Sequence, residues 1–88
     1  MNTEFAPEKN LTRFTYEETA FQGWRLAINR EGRTFVKYFS DKNFGSGEAA
    51  LAAAEELMDK ILHTLDQSKL QYGEVTRDTL NDIEKYIR

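Results

Sequence analysis

Residues 23–41, GWRLAINREGRTFVKYFSD, contain two runs in which apolar and polar residues alternate, separated by Glu31-Gly32. Alternation with a period of two predicts β-strands that bury one face. A short Gly-containing turn between two such runs predicts a hairpin, because tight hairpin turns need positive φ values. The stretch therefore predicts an antiparallel pair of strands, and four of its polar residues are cationic.

One further strand is predicted before the hairpin. Residues 11–16, LTRFTY, alternate and are rich in β-prone residues, as is typical of a strand. Residues 17–22 form a polar connection. Residues 1–10 contain the only proline of the chain and few apolar side chains, so we expect a mobile tail there.

After the hairpin the apolar spacing changes from two to that of a helix. In residues 47–67, GEAALAAAEELMDKILHTLDQ, it predicts an amphipathic helix whose alanines allow close approach to a sheet. The apolar stripe consists of Ala50, Ala53, Ala54, Leu57, Ile61 and Leu65. Ser46 is the expected N-cap, and Glu48 suits the positive end of the helix. Residues 41–47, DKNFGSG, are expected to form the loop that leads into this helix.

A second, shorter helix is predicted at the C-terminus. Residues 68–75, SKLQYGEV, are typical of a turn-type linker, and residues 76–88 carry Leu80, Ile83 and Ile87 at helical spacing. About a dozen residues form a marginal helix in isolation, so this one must pack on something. The predicted class is α+β: a three-stranded antiparallel sheet packed on one α-helix, with a short C-terminal α-helix. We expect the sheet and helix at 11–66, and the linker and last helix at 67–88 on the same domain.

Length and composition bound the functional classes. A chain of 88 residues with 40% hydrophobic residues forms at most one domain with one modest core. It contains no cysteine, which excludes disulfides and thiolate metal sites. The first residues show no signal-peptide pattern and no apolar run reaches the length of a membrane span, so we expect a cytoplasmic protein.

Charge is distributed unevenly around a net value of -3. Residues 11–45 hold six basic and four acidic residues, whereas residues 46–88 hold five basic and nine acidic residues. This asymmetry predicts a mildly basic sheet on an otherwise acidic protein.

The sequence contains little that indicates a catalytic or metal-binding site. His63 is the only histidine, and no serine lies in a nucleophile-elbow motif. Residues 45–47, GSG, lack the lysine of a phosphate-binding loop and are better explained as a helix cap. Glu55, Asp59 and His63 share one helix stripe, which is a poor geometry for a closed metal site. We expect no enzyme, no cofactor and no metal site.

Residues 23–62 resemble the bacterial and phage versions of the APETALA/ethylene-response-factor DNA-binding domain. The matching features are Gly23-Trp24 at the start of the second strand, the hairpin at Gly32, and the tract YFSD at 38–41. The glycine-containing loop before the helix and the alanines at 49–54 continue the match. With the first strand included, the resemblance covers about residues 11–62.

The resemblance implies that the open face of the sheet lies in the DNA major groove, with the helix behind it. The DNA-contacting residues that it implies are Arg13, Arg25, Asn29, Arg33, Phe35 and Lys37. The core residues that it implies are Trp24, Leu26, Ile28, Val36 and Phe39. Family members are usually rich in arginine and lysine on the first strand and at the helix start, where this chain has Thr12, Phe14 and Glu48.

Turn length decides which way the third strand faces. A two-residue turn places Ile28 opposite Phe35 and puts Phe35 and Lys37 on the buried side. A longer or bulged turn directs both outward, because a one-residue slip exchanges the two faces. The resemblance favours the outward arrangement, which is the expectation adopted here.

Two functions follow from these features. The first is binding of double-stranded DNA, in which cations neutralise phosphates while arginine and Asn29 read bases. The second is a protein-interaction module on the same scaffold, either a homodimer through the C-terminal helix or an acidic regulator of another protein. The last helix separates them, because docking over Arg25 and Asn29 would close the DNA-binding face.

Overall fold

The computed structural model describes residues 10–17 and 20–88. Its elements are β1 (Leu11–Phe14), β2 (Gly23–Arg30), β3 (Arg33–Ser40), α1 (Asp41–Phe44), α2 (Gly47–Tyr72) and α3 (Arg77–Ile87). The three strands form one antiparallel sheet in the order β1-β2-β3. The predicted α+β class with a C-terminal helix is thus confirmed. The predicted tail lies outside the described residues, apart from Asn10.

The β2–β3 hairpin closes through the two-residue turn Glu31-Gly32, whose φ values are 53° and 78°. This turn places Ile28 opposite Phe35. Directly opposed residues of antiparallel strands share a face of the sheet, so Phe35 is directed to the same side as Ile28. Phe35 is only 1% exposed and Val36 is 38% exposed. The expectation that Phe35 faces outward and Val36 lies in the core is therefore wrong, because the turn contains no extra residue.

The sheet consequently has two distinct faces. The helix face packs against the helices and comprises Leu11, Arg13, Trp24, Leu26, Ile28, Arg30, Arg33, Phe35, Lys37 and Phe39. The open face carries no packed element from the described part of the chain and comprises Thr12, Phe14, Arg25, Ala27, Asn29, Thr34, Val36 and Tyr38.

The core lies between the helix face and α2. Trp24, Ile28 and Ile61 have no exposed surface, and Ala50 and Ala54 bring the helix close to the strands in the way that the sequence predicts. The indole Nε1 of Trp24 donates a hydrogen bond to the carbonyl of residue 47 at 3.1 Å, which fixes the start of α2 over β2. This arrangement confirms the core positions predicted for β2.

The helix ends differ in part from the prediction. Ser46 caps α2 as expected, since its hydroxyl accepts from the Ala49 N–H at 3.0 Å. Residues 41–44 of the predicted loop form the helical turn α1, which Ser40 caps through the Asn43 N–H at 3.0 Å. Helix α2 continues to residue 72, so the linker predicted to begin at Ser68 begins five residues later.

Ser68 explains the longer helix. Its hydroxyl donates to the Glu74 carbonyl at 2.9 Å and accepts from the Thr76 N–H at 3.1 Å and the Thr79 hydroxyl at 3.0 Å. A residue typical of turns is here buried inside a helix and satisfies the backbone of the turn that follows. It holds α2 and α3 in a fixed corner.

Helix α3 packs beside α2 on the helix face. Leu80 and Ile83 are 7% and 0% exposed and belong to the common core. The apolar stripe that suggested a homodimer through this helix is thus largely covered within the chain itself. Among the helices within 20–88, none is both long and apolar enough to cross a bilayer.

Candidate functional site

The six residues that the resemblance implies for DNA contact are divided between the two faces. Arg25 and Asn29 lie on the open face, as expected. The helix-face members are Arg13, Arg33, Phe35 and Lys37. Their outward placement is corrected by the strand pairing, because Arg13 lies opposite Trp24 and Lys37 opposite Leu26.

Arg13 forms an ion pair with Asp41 on the helix face. Its two terminal nitrogens donate to the two carboxylate oxygens of Asp41 at 2.8 and 2.7 Å. The guanidinium also lies 5.3 Å from the centroid of the Trp24 ring. Hydrogen bonding from Arg13 lowers the pKa of the Asp41 carboxyl below its ordinary value of 3.8. Arg13 thus connects β1 to the helical turn α1 that follows β3.

Arg33 and Lys37 contact α3. Arg33 donates to the Asn81 side chain at 3.2 Å and forms an ion pair with Glu84 at 3.2 Å. The Lys37 ammonium donates to the Ile87 carbonyl at 3.3 Å, close to the negative end of the helix. These cations therefore anchor the last helix instead of facing a ligand on the open face.

An aromatic cluster, formed by Phe14, Phe21 and Tyr38, lies at one end of the open face. The rings of Phe21 and Tyr38 meet edge-on with centroids 5.5 Å apart. Phe14 lies 6.2 Å from Phe21 and 6.4 Å from Tyr38. Tyr38 nevertheless remains 54% exposed, so the cluster presents aromatic surface to solvent.

Arg25 lies in the centre of the sheet beside this cluster, between Thr12 on β1 and Tyr38 on β3. Its guanidinium carbon is 5.4 Å from the Phe14 ring centroid. Its Nε is shielded from solvent and has no hydrogen-bond partner within the described residues. Within residues 10–17 and 20–88, no group forms a hydrogen bond or an ion pair with the Arg25 side chain.

The open face is otherwise neutral. Of the residues that define it, only Arg25 is charged, and none is acidic. Thr12, Asn29 and Thr34 supply exposed polar groups, whereas Val36 supplies exposed apolar surface. The combination is an arginine and exposed aromatic and aliphatic side chains on a rigid sheet.

Sequence reasoning missed the aromatic cluster and Val36. Phe14 and Tyr38 have the same parity as the outward positions of their strands, and this is visible once the Ile28–Phe35 pairing is known. Phe21 precedes β2, and no periodic pattern marks its direction.

The size of the open face limits what it can bind. Eight residues of β2 at about 3.4 Å per residue, across three strands about 4.8 Å apart, give a face of at most roughly 27 by 14 Å, since β1 has only four residues. Its projected area, at most roughly 380 Å², is less than half of what each partner buries in a standard protein–protein interface. A surface of this size suits a short segment of a partner.

No metal site competes with this surface, since the residues described here contain no group of three histidine, aspartate or glutamate side chains arranged to hold an ion. No family model matches the chain, and no curated protein or solved structure matches it.

Proposed function

We propose that the chain is a small protein-interaction module that binds a segment of another protein on its open face. The observation that carries this proposal is the composition of that face: the exposed Tyr38 and Val36 and the aromatic cluster surround a single arginine. Interface centres are enriched in aromatic residues and arginine and depleted of other charges. The helix face cannot serve the same purpose, because its apolar residues are buried under the helices.

The test is a selection of binders from a random library of 12-residue peptides displayed on phage, with the full chain as bait. We expect selected peptides that, once synthesised, bind in a polarisation assay. Val36→Asp and Tyr38→Ala should weaken that binding at least about tenfold, since central interface positions commonly contribute this much. The matched control is Glu56→Ala, at an exposed α2 position. The neighbouring Leu57 would not serve, because it packs against the core.

Two results would count against the module. Peptides whose affinity is the same for Val36→Asp and for the unaltered chain would place binding elsewhere. A selection that yields no binding peptide would remove the proposal altogether.

Double-stranded DNA remains a second candidate. The observation that favours it is the position of α3, which docks on the helix face and leaves Arg25 and Asn29 uncovered. These two residues project from the same side of β2, the side that the family resemblance directs toward the major groove. Asparagine can pair with adenine and arginine with guanine there.

Salt dependence tests the DNA candidate. Four phosphate contacts would give a slope of log affinity against log salt of about -3.6, whereas Arg25 alone gives about -0.9. A polarisation titration with a 20-base-pair duplex at two salt concentrations measures the slope. A slope of about -0.9 that is lost in Arg25→Gln would support DNA binding through the open face. No binding at micromolar protein in dilute buffer would end it.

A further inference from the structure

We infer that the segment bound on the open face carries a carboxylate that pairs with Arg25, flanked by apolar or aromatic side chains that pack on the aromatic cluster. This inference rests on the proposed interaction function and specifies its partner. The partner is an acidic peptide segment of another protein.

The first argument is the unsatisfied state of Arg25. A guanidinium has five N–H donors, and a buried donor without a partner costs free energy. Within residues 10–17 and 20–88, Nε of Arg25 is shielded and has no hydrogen-bond partner, whereas Arg13 and Arg33 on the helix face both pair with carboxylates. The terminal nitrogens of Arg25 also form no hydrogen bond or ion pair with residues 10–17 and 20–88, and a ligand carboxylate would give them the planar bidentate contact that a guanidinium favours.

The second argument is the aromatic wall around the arginine. The Phe14 ring lies against the guanidinium, and Phe14 in turn contacts Phe21 and Tyr38. Such a wall limits the approach of water on one side of the ion pair, and charge-assisted hydrogen bonds are stronger where water is excluded. It also offers apolar area for the residues that flank the acidic side chain.

The third argument is the number of charges. The open face presents one cation and, among its defined residues, no anion. A ligand with a single carboxylate would therefore pair one negative charge with the one positive charge of the face. A DNA duplex has about one phosphate charge per 1.7 Å of axis, so across a face of roughly 27 Å most phosphates would face no cation.

The same reasoning argues against a second copy of this chain as the occupant. Two open faces packed together would bring two Arg25 side chains into the same interface, about 10 Å thick, with no carboxylate from either face between them. The projected area is also less than half of what a standard interface takes from each partner. The occupant therefore has a different chemistry from the face itself.

A double-mutant cycle tests the inference. The probes are a peptide from the 12-residue library selected on the unaltered chain and its isostere, in which the aspartate or glutamate is changed to asparagine or glutamine. The protein variants are Arg25→Gln, the charge-retaining Arg25→Lys, and Arg77→Gln as a control. Arg77 is exposed at the start of α3, and its substitution removes the same charge away from the open face.

We expect the selected peptides to contain an acidic residue next to an apolar or aromatic one. Arg25→Gln and the peptide isostere should each weaken binding about tenfold or more, and together no more than either alone, because both remove the same contact. Arg25→Lys should give an intermediate affinity, and Arg77→Gln should leave it unchanged. Trp24 emission checks folding, since Trp24 is buried on the opposite face.

The inference is overturned if the two changes weaken binding additively, or if the isostere binds as well as the acidic peptide. If binding is still lost in Val36→Asp, the interaction function survives and only the carboxylate is wrong. If the selection gives no peptide, both proposals fail. Displacement of a bound peptide by the DNA duplex at low micromolar concentration, or dimerisation of the chain that Val36→Asp abolishes, would assign the face to another occupant.

Discussion

Arg13 and Asp41 are joined by two parallel hydrogen bonds of 2.8 and 2.7 Å. Arg13 belongs to the edge strand β1, and Asp41 begins the helical turn that follows β3 at the other edge. The pair therefore spans the end of β2 on the helix face and connects both edges of the sheet. With side chains only 21% and 14% exposed, it is shielded more than a typical surface ion pair.

Asp41→Asn should lower the free energy of unfolding by about 1–2 kcal/mol, which lies between the values for exposed pairs and for hydrogen bonds to buried charged groups. The substitution keeps the shape of the side chain but removes the charge that Arg13 faces. Urea denaturation followed by Trp24 fluorescence measures the change. Asp59→Asn, at an exposed α2 position, is the control, and an equal effect of both substitutions would contradict the structural role of the pair.

The contribution of Asp41 should disappear in acid. Its pKa is lower in the folded chain than in the unfolded chain because Arg13 donates hydrogen bonds to it, so folding favours the ionised form. The stabilisation is therefore complete above the ordinary pKa of 3.8, which the unfolded chain has, and is lost as the pH falls through the folded value. The difference in unfolding free energy between the unaltered chain and Asp41→Asn should be constant from pH 7 to 5 and shrink below pH 4. A difference that persists unchanged to pH 2 would contradict this sign.

The two faces of β3 should respond oppositely to the same substitution. Phe35→Thr removes a buried ring and places a hydroxyl in the core, so it should cost roughly 3 kcal/mol or more and could leave the chain unfolded. Val36→Thr keeps a β-branched side chain at an exposed position and should change stability by less than about 0.5 kcal/mol. Circular dichroism and urea denaturation compare the two. Equal costs would mean that the strand register is different.

The hairpin turn offers a second, independent check of the register. A Cβ at Gly32 would meet no atom within 4 Å, so Gly32→Ala would cost only the left-handed backbone conformation, about 1–2 kcal/mol. Glu31 has a φ of 53°, and Glu31→Asn should stabilise the chain by a few tenths to 1 kcal/mol because asparagine adopts this conformation more easily. Thermal denaturation measures the change in melting temperature of each variant. Opposite shifts are expected, and a stabilising Gly32→Ala would show that the turn is of another type.

Much of this fold was accessible from sequence because its elements differ in period. The alternation around Trp24 and Ile28 and the helical spacing after Ser46 depend on local patterns that burial of one face imposes. The direction of β3 was not accessible in the same way, because it depends on one residue in a turn. Both registers were open from the residues alone, and the two-residue turn selects the one that the family resemblance disfavoured.

Which residues belong to the candidate site depends on the register of β3 against β2. Arg33 and Lys37 alternate with apolar residues, so their face could be assigned only together with Phe35. Their role in holding α3 depends on Glu84, Asn81 and a helix-end carbonyl, which are about 50 residues away in sequence and reachable only through the tertiary fold. Arg25 could be assigned to the outward face from sequence, because the apolar residues of β2 mark its inward face. The aromatic cluster could not be predicted in this way, because it depends on contacts between three separate segments of the chain.

The corner between α2 and α3 depends on the Ser68 hydroxyl, which no local pattern marks. Ser68→Ala should lower the free energy of unfolding by about 1–3 kcal/mol, because it leaves the Thr76 N–H without its acceptor and the Glu74 carbonyl without its donor. Alanine is the better helix former, so a purely local effect would have the opposite sign. Gln67→Ala, at the exposed neighbouring position, provides that local reference and should be neutral or slightly stabilising. Amide hydrogen exchange should show that Ser68→Ala accelerates exchange in α3 more than in β2, since α3 loses its hydrogen bonds to α2 at this corner while the sheet keeps its own. Uniform acceleration, or equal effects of the two substitutions, would contradict this role.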